Sequence, residues 1–270
     1  MLSFRAGAHP EQCRERPMLL LHGFLATPRV LGRLASRLGK WGYCGHGVDL
    51  GGLFGRYNAR PIDEIAHVVA ERVEDLVRAH GCERIDLIGH SEGGVIGRYY
   101  VQRLDGARRV RHLVTLGTPH RGTPWAYSGY LLGRLLPSLQ QMAPGSSLLR
   151  DLDDETFPRD VRLTSVYSSH DPVCPPTSCR LDTLKGALLK NVEVAGVGHV
   201  ALLFDEMIAS LVCRELESVR AQWARWHREL VDGKHDATPG RARRGHRPPG
   251  RRAPTTRVAS EDLPAAMIAL

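Results

Sequence analysis

Compact apolar runs alternate with segments of helical periodicity along the first 230 residues. Runs of strand length occupy residues 18–21, 42–48, 84–88, 110–116, 161–167 and 191–194. Between them, apolar residues recur every three or four positions over residues 28–38, 62–77, 93–104 and 201–230, which is the spacing of an amphipathic helix. Strands that alternate with helices on short connections predict an α/β fold, with a mostly parallel sheet of about six strands covered by helices on both faces.

The C-terminal segment differs in composition from the rest of the chain. It contains the sequence GRARRGHRPPGRRAPTTR, which is rich in Arg, Pro and Gly and shows no hydrophobic periodicity. Such a segment buries too little apolar surface to offset the entropy of ordering it. We therefore predict a disordered basic tail over residues 233–270, one globular domain over 17–232, and a short N-terminal extension over 1–16.

The net charge of +8 arises from 37 Lys and Arg residues against 29 Asp and Glu residues. Much of this excess lies in the tail, so the charge does not indicate a basic face on the domain. We expect no specific nucleic-acid partner. A solvated tail is the simplest interpretation, and a weak contact of the tail with an anionic surface is the alternative.

No apolar stretch approaches the roughly 20 residues that a membrane-spanning helix needs. The N-terminus places Arg5 before a polar mixture that includes His9 and Glu11, and thus lacks the order of a secretory signal. The sequence as written therefore predicts a cytoplasmic protein. If the start of the chain is misassigned, the alternative is a secreted protein.

Six cysteines are spread through the chain without paired CxxC spacing. We therefore expect no metal cluster, and nothing in the sequence indicates a cofactor. Cys174 and Cys179 flank a Pro-Pro turn and would close a small disulfide loop in an oxidising compartment, whereas free thiols are the state expected inside a cell.

The strongest motif is Gly89-His90-Ser91-Glu92-Gly93, a GxSxG pattern. It follows a predicted strand directly and precedes a predicted helix, which is where a nucleophilic serine on a sharp strand-to-helix turn has to lie. The glycines two residues either side of Ser91 suit such a turn, because larger side chains would collide with neighbouring backbone. Ser91 is therefore the candidate nucleophile, with Gly89 and Gly93 forming its elbow.

Five segments together resemble the bacterial lipase and esterase branch of the α/β-hydrolases, which includes triacylglycerol lipases. They are LLHGF at 20–24, DLIGHSEGG at 86–94, TLGTPHRGT at 115–123, SSHDPV at 168–173 and GVGH at 196–199. The resemblance covers about residues 17–212. It implies the α/β-hydrolase fold and a serine ester hydrolase that acts through an acyl-enzyme intermediate, with a cap or lid at residues 124–160.

A serine hydroxyl needs an imidazole as base, and the imidazole needs a carboxylate that fixes its tautomer. His199 follows a predicted strand late in the chain and Asp171 follows the strand before it, which matches the chain order serine, acid, histidine. We assign His199 as base and Asp171 as acid. The competing acids are Asp151, Asp153, Asp154 and Asp182, of which the first three belong to an acidic cluster.

Two backbone N–H groups should bind the oxyanion. One is that of Glu92, which follows the nucleophile, and the resemblance implies that Phe24 supplies the other. Glu92 replaces the uncharged residue often found there in lipases, and its charge would make the local field more negative. Other residues near these motifs are expected to have structural roles: His22, His90, His120 and Arg121.

The insertion after Thr123 carries an apolar stripe that includes Trp125, Tyr127, Leu139 and Met142. This stripe either packs the cap or lines an acyl-chain channel. We favour a small-molecule or lipid ester with an apolar acyl group as substrate. The alternatives are a thioesterase, phospholipase or acyltransferase on the same scaffold, and a non-catalytic binding protein. No carboxylate cluster indicates a calcium site.

Overall fold

The computed structural model describes residues 2–7, 16–51, 60–127, 136–231 and 255–258. Within these ranges eight strands form one sheet: β1 Leu2–Gly7, β2 Pro17–Leu21, β3 Cys44–Val48, β4 Ile85–His90, β5 Val110–Leu116, β6 Arg162–Ser168, β7 Leu188–Val194 and β8 Thr255–Val258. The same ranges contain seven α-helices: α1 Gly32–Gly39, α2 Ile62–His80, α3 Glu92–Arg103, α4 Pro137–Gln141, α5 Ser147–Asp154, α6 Pro176–Cys179 and α7 Glu206–Val231. The predicted α/β architecture is confirmed.

The strand order is β1-β3-β2-β4-β5-β6-β7-β8, and every neighbouring pair is parallel except β1 with β3. The sheet therefore has more strands than the six or so that the pattern predicts. The two additional strands are β1, inside the predicted N-terminal extension, and β8, inside the predicted tail. Both lie at the edges of the sheet.

Part of the tail is ordered. The expectation of disorder was wrong for Thr255–Val258, because these residues pair with β7 and place Thr255 opposite Asn191. An exposed strand edge offers unpaired backbone groups, and a segment rich in β-branched residues is well suited to bind it. Residues 233–254 and 259–270 of the predicted tail lie outside the described residues.

Apolar residues fill both faces of the sheet. Leu19 and Leu21 of β2 point to the face covered by α2 and α3, whereas Met18 and Leu20 point to the face covered by α1 and α7. All four side chains are fully buried. A strand buried on both faces cannot show a polar alternation, which is why β2 is uniformly apolar.

Helix α2 illustrates how the local sequence sets an element's limits. Its first turn contains Asp63 and Glu64 and its last turn contains Arg78 and His80, so the charges complement the helix dipole. The helix ends at Gly81, which has φ +62° and donates its N–H to the last carbonyls. None of the helices in the described ranges is long and apolar enough to cross a membrane.

The predicted cap packs against the domain through its described residues. Leu139 and Met142 are buried, as are Leu149 and Leu152 of α5, and they join the core on the α2 and α3 face. For these residues, ordinary packing rather than the lining of a channel accounts for the apolar stripe. Residues 128–135 of the predicted cap lie outside the described residues.

Candidate active site

Ser91 occupies a strained turn between β4 and α3. Its backbone has φ +55° and ψ −126°, a combination that non-glycine residues rarely adopt. The Ser91 N–H donates to the Leu116 carbonyl at 2.9 Å, which fixes the turn against the end of β5. The turn therefore presents the Ser91 side chain beyond the carboxyl end of the sheet, at the N-terminus of α3.

The two glycines of the elbow have almost no space around them. A Cβ atom at Gly89 would lie 2.5 Å from the backbone of Gly94, and one at Gly93 would lie 2.3 Å from the Leu21 carbonyl oxygen. Both obstacles are backbone atoms, which cannot rotate away as a flexible side chain can. The sharp turn from β4 into α3 thus requires glycine at residue 89, and the close packing of α3 on β2 requires glycine at residue 93.

The Gly93→Ala variant is expected to lose about 3 kcal/mol of unfolding free energy, because the methyl group has to displace β2 backbone. Urea unfolding monitored by circular dichroism measures this loss. Gly32→Ala is the matched control, since a Cβ at Gly32 meets nothing within 4 Å. Equal unfolding midpoints for the native protein and Gly93→Ala would contradict this account of the elbow.

His199 and Asp171 form a direct pair. The His199 Nδ1–H donates to Asp171 Oδ2 at 2.6 Å. The other carboxylate oxygen, Oδ1, accepts the N–H groups of Val173 at 2.9 Å and Cys174 at 2.8 Å. Asp171 is buried, so these three donors fix both the orientation of the carboxylate and the tautomer of the imidazole.

Four parallel strands bring the candidate residues to one edge of the sheet. Ser91 follows β4, Asp171 lies in the loop after β6, and His199 lies in the loop after β7. A Cβ on Gly117, which follows β5, would lie 3.1 Å from Asp171 Oδ2 and 3.2 Å from His199 Nδ1. The carboxyl ends of parallel strands meet at one edge, and this edge is where open α/β sheets bind ligands.

His90 connects the elbow to the loop of His199. The two rings lie 4.8 Å apart between centroids, and the His90 Nε2–H donates to the His199 carbonyl at 3.1 Å. Burial lowers the pKa of His90 to about 3, so its ring is neutral at physiological pH. Ser91 Oγ and the His199 ring, both among the described residues, form no hydrogen bond. Contacts between nucleophile and base are often long before substrate binds.

Comparison with known proteins supports the same assignment of the fold. A family model described as the alpha/beta hydrolase fold matches residues 16–145, a range that includes the elbow. The chain has the α/β-hydrolase fold. Ser91 lies where this fold has its nucleophile elbow.

Several of the proteins to which the chain is similar are lipases. A triacylglycerol lipase of Pseudarthrobacter phenanthrenivorans is 39% identical over 54 residues, which are 20% of this chain and 16% of that relative. A lipase of Bacillus licheniformis in its mature form has a TM-score of 0.58 at 13% identity, covering 74% of this chain and 91% of that one. A monoacylglycerol lipase of Paleococcus ferrophilus has a TM-score of 0.56 at 15% identity, covering 80% of this chain and 98% of that one.

The predicted oxyanion donors belong to two segments that adjoin Ser91. Phe24 is in the loop after β2, and Glu92 is the first residue of α3. A Cβ on Gly23 would lie 3.3 Å from Ser91 Oγ, so the β2 loop passes directly beside the nucleophile. His22 stabilises that loop by donating its Nδ1–H to the Gly23 carbonyl at 3.1 Å. Burial lowers the pKa of His22, which keeps the ring neutral.

The side chain of Glu92 is fully buried beside Ser138 of α4. Burial raises the pKa of Glu92 to about 8, and the nearby Ser138 hydroxyl offsets this only in part. Glu92 is therefore mostly protonated at neutral pH. From the sequence we expect a charged Glu92, which would make the field near its own N–H more negative. In the folded protein at neutral pH, the protonated carboxyl does not create that field.

The Glu92→Gln variant is expected to gain stability relative to the native protein as pH rises from 4.5 to 8. In the unfolded chain Glu92 ionises near its ordinary pKa, 4.5, whereas in the folded protein it stays protonated up to about pH 8. The contribution of the Glu92 carboxyl to the free energy of unfolding is greatest below pH 4.5 and is lost as pH rises to 8. Gln cannot ionise, so Glu92→Gln avoids that loss.

Thermal melting at pH 5 and pH 8 measures the effect, with the exposed Glu64→Gln as baseline. We expect similar melting temperatures for Glu92→Gln and the native protein at pH 5, and a melting temperature several degrees higher for the variant at pH 8. A difference that does not change with pH would show that Glu92 is not held in its protonated form.

Two hydrogen bonds connect the start of the cap to the loop of Asp171. The Thr123 hydroxyl donates to the Val173 carbonyl at 2.6 Å, and the Trp125 Nε1–H donates to the Pro172 carbonyl at 3.3 Å. From the sequence we assign Trp125 only to an apolar stripe, and we assign no role to Thr123. Thr123 ends the TLGTPHRGT segment, so that motif was the signal available for it.

The competing acids and the structural residues have partners elsewhere. Asp182 binds Arg121 at 3.2 Å and Arg180 at 2.8 Å, and Asp153 binds the buried Arg98 at 2.7 Å. His120 Nε2 lies 3.0 Å from the Thr115 hydroxyl. These contacts stabilise loops and helices around the site, and Asp171 is the acid that contacts His199.

The oxidation state of the cysteines differs between the loop after β6 and β3. Cys174 and Cys179 are free thiols, and Cys179 Sγ lies 3.2 Å from the Cys174 carbonyl oxygen. By contrast, Cys44 on β3 is in a disulfide bond. Nothing in the spacing of the cysteines singled out Cys44.

Proposed function

We propose that this protein is a serine hydrolase of carboxylic esters, a lipase or esterase, with Ser91 as nucleophile, His199 as base and Asp171 as acid. The observation that carries the proposal is the position of Ser91 in a strained elbow at the same sheet edge as the hydrogen-bonded His199–Asp171 pair. A strained turn persists only where the surrounding structure enforces it, and such strain is common at catalytic sites.

In the proposed acylation step, Ser91 Oγ attacks the ester carbonyl carbon while His199 Nε2 accepts the hydroxyl proton. Asp171 stabilises the resulting imidazolium through Nδ1. When the tetrahedral intermediate collapses, the bond to the leaving alkoxide breaks and His199 returns the proton to it, releasing the alcohol. Water then repeats these steps on the acyl-enzyme, which releases the carboxylic acid and restores Ser91.

In this mechanism the N–H groups of Phe24 and Glu92 bind the negatively charged oxygen of each tetrahedral intermediate. Hydrogen bonds aimed at charge that develops in the transition state lower the barrier more than they stabilise the ground state. The neutral form of Glu92 favours this arrangement, since no carboxylate charge opposes the oxyanion.

The side chains around the site support an apolar acyl group. Leu25, next to the oxyanion loop, is 43% exposed, and Val200, next to His199, is 52% exposed. Trp125, whose indole binds the loop of Asp171, is 63% exposed. Exposed apolar residues that share a site suit a substrate with a hydrocarbon chain.

Hydrolysis of p-nitrophenyl esters from acetate to palmitate tests the proposal. We expect turnover by the native protein and none above background by Ser91→Ala, with the chain-length profile separating an esterase from a lipase. Thioester substrates and added acceptor alcohols, measured in parallel, detect a thioesterase or an acyltransferase. A folded native protein that is inert on every oxygen ester would overturn the proposal.

A further inference from the structure

A second cluster of reactive side chains lies away from the candidate active site. Cys44 and His46 are two positions apart on β3, so their side chains point to the same face of the sheet. His80 is the last residue of α2, a helix that packs on the sheet. The strand and the end of the helix thus bring together three residues of the types that bind transition metals.

The three side chains meet at their ligand atoms. His46 Nε2 lies 3.0 Å from His80 Nε2 and 3.3 Å from Cys44 Sγ, and the three ligand atoms all lie within 4.8 Å of one another. The two imidazole rings are nearly perpendicular, at 82°, and their Nε2 atoms are in contact. Cys44 and His46 are buried. Because two Nε2 atoms at this distance can share only one N–H, at least one ring presents a lone pair.

These separations are close to those of a tetrahedral zinc site. With Zn–N distances of about 2.0–2.1 Å and a Zn–S distance of about 2.3 Å, tetrahedral angles place two nitrogens about 3.3 Å apart, and a nitrogen and a sulfur about 3.5 Å apart. The distances from His46 Nε2 to the other two ligand atoms are shorter than these by about 0.3 Å or less, and Cys44 Sγ lies within 4.8 Å of His80 Nε2. A cation of this size would therefore need only small side-chain movements to enter.

The oxidation state of Cys44 decides whether the set is complete. In this structure Cys44 is in a disulfide, and a disulfide sulfur is not the thiolate that binds zinc. We propose that Cys44, His46 and His80 form a redox-gated binding site for Zn²⁺ or a similar divalent cation, which is completed when the Cys44 disulfide is reduced. Water would occupy the fourth position.

The chemistry of this switch balances with a thiol reductant. Two thiols of the reductant become one disulfide, and the protein disulfide becomes two thiols. The Cys44 thiol then loses its proton to solvent as its sulfur binds the cation. Oxidation of the bound thiolate by the reverse exchange releases the metal.

The site is separate from the candidate active site. Cys44 pairs with Pro17 at the start of β2, and His80 lies five residues before the start of β4, so the cluster is near the amino ends of the strands. Ser91 follows the carboxyl end of β4. The metal would therefore act as a structural link between β3 and α2, and we expect hydrolysis of esters not to require it.

Cobalt binding to the full chain tests the proposal, because Co²⁺ in a tetrahedral site with a thiolate ligand has intense visible bands and a thiolate charge-transfer band. The protein is first treated with chelator and then with a phosphine reductant, and Co²⁺ is titrated in. We expect one equivalent to bind with both spectral features, and Zn²⁺ to displace it. The oxidised protein should lack the charge-transfer band.

Substitutions identify the ligands. We expect Cys44→Ser to lose the charge-transfer band and His80→Asn to bind at least about 10-fold more weakly. Cys213→Ser, at a free cysteine outside the cluster, and His67→Asn, at an exposed position on α2, are the matched controls and should bind as the native protein does. Thermal melting with and without Zn²⁺ gives a second readout, since a bound metal should raise the melting temperature of the reduced native protein but not of His80→Asn. Absence of a thiolate band in the reduced protein, or an unchanged band in Cys44→Ser, would overturn the proposal whether or not the protein hydrolyses esters.

Discussion

Replacing Ser91 with alanine is expected to lower kcat for ester hydrolysis by about 10⁵-fold or more, to a rate set by the remaining oxyanion donors alone. No other hydroxyl can replace it, because the elbow presents only the side chain of residue 91 at the end of β4. The variant should fold normally, since alanine removes one hydroxyl from a residue that is only partly buried and keeps the backbone. Initial rates on p-nitrophenyl butyrate measure the loss.

Ser210→Ala is the control for this experiment. Ser210 is buried in α7, outside the loops that carry Ser91, Asp171 and His199, so its removal should leave kcat and KM within about 2-fold of the native values. A Ser91→Ala variant that keeps more than a few percent of native activity would show that another group performs the chemistry.

The Asp171→Asn variant is expected to lower kcat by about 10⁴-fold with little change in KM. Asp171 Oδ1 accepts two backbone N–H groups, so an asparagine would keep its carbonyl oxygen there and turn its NH₂ group toward His199. Facing a donor, His199 Nδ1 must act as acceptor, and the ring then carries its proton on Nε2. That tautomer cannot accept the proton of Ser91.

Asp182→Asn is the matched control, because Asp182 was a competing candidate for the acid and binds only arginines in the described structure. We expect it to retain native kcat. Comparable losses in the two variants would indicate a general effect on loop structure, and a larger loss in Asp182→Asn would contradict the assignment of Asp171. Unfolding midpoints for both variants separate lost stability from lost catalysis.

Local patterns were sufficient to predict much of the fold. The uniformly apolar residues of β2, the helical spacing of α2 and the stop at Gly81 are each determined by neighbours in the sequence, and the structure agrees with all three. The assignment of Gly89 and Gly93 to an elbow also follows from the chain itself, because the steric demand of that turn is local. Ser91, Asp171 and His199 were found from motifs at strand ends, and parallel strands bring such ends together.

Other features depend on contacts between distant segments. The pairing of β8 with β7 joins residues about 64 positions apart, so a polar local composition suggested disorder instead. The raised pKa of Glu92 results from burial under the cap, and no neighbour in the sequence indicates it. His46 and His80 meet across a separation of 34 residues. The pair Cys44 and His46 can be read from the sequence, but nothing in the sequence connects that pair to His80.

Covalent labelling with a fluorophosphonate tests whether Ser91 is an activated nucleophile, because such reagents react with a serine only when a base and an oxyanion site activate it. The labelled protein is digested and the modified peptide is identified by mass spectrometry. We expect one adduct per chain, on Ser91, which is absent in Ser91→Ala and formed much more slowly in His199→Ala. An adduct on another serine, or no adduct on a folded protein, would contradict that expectation.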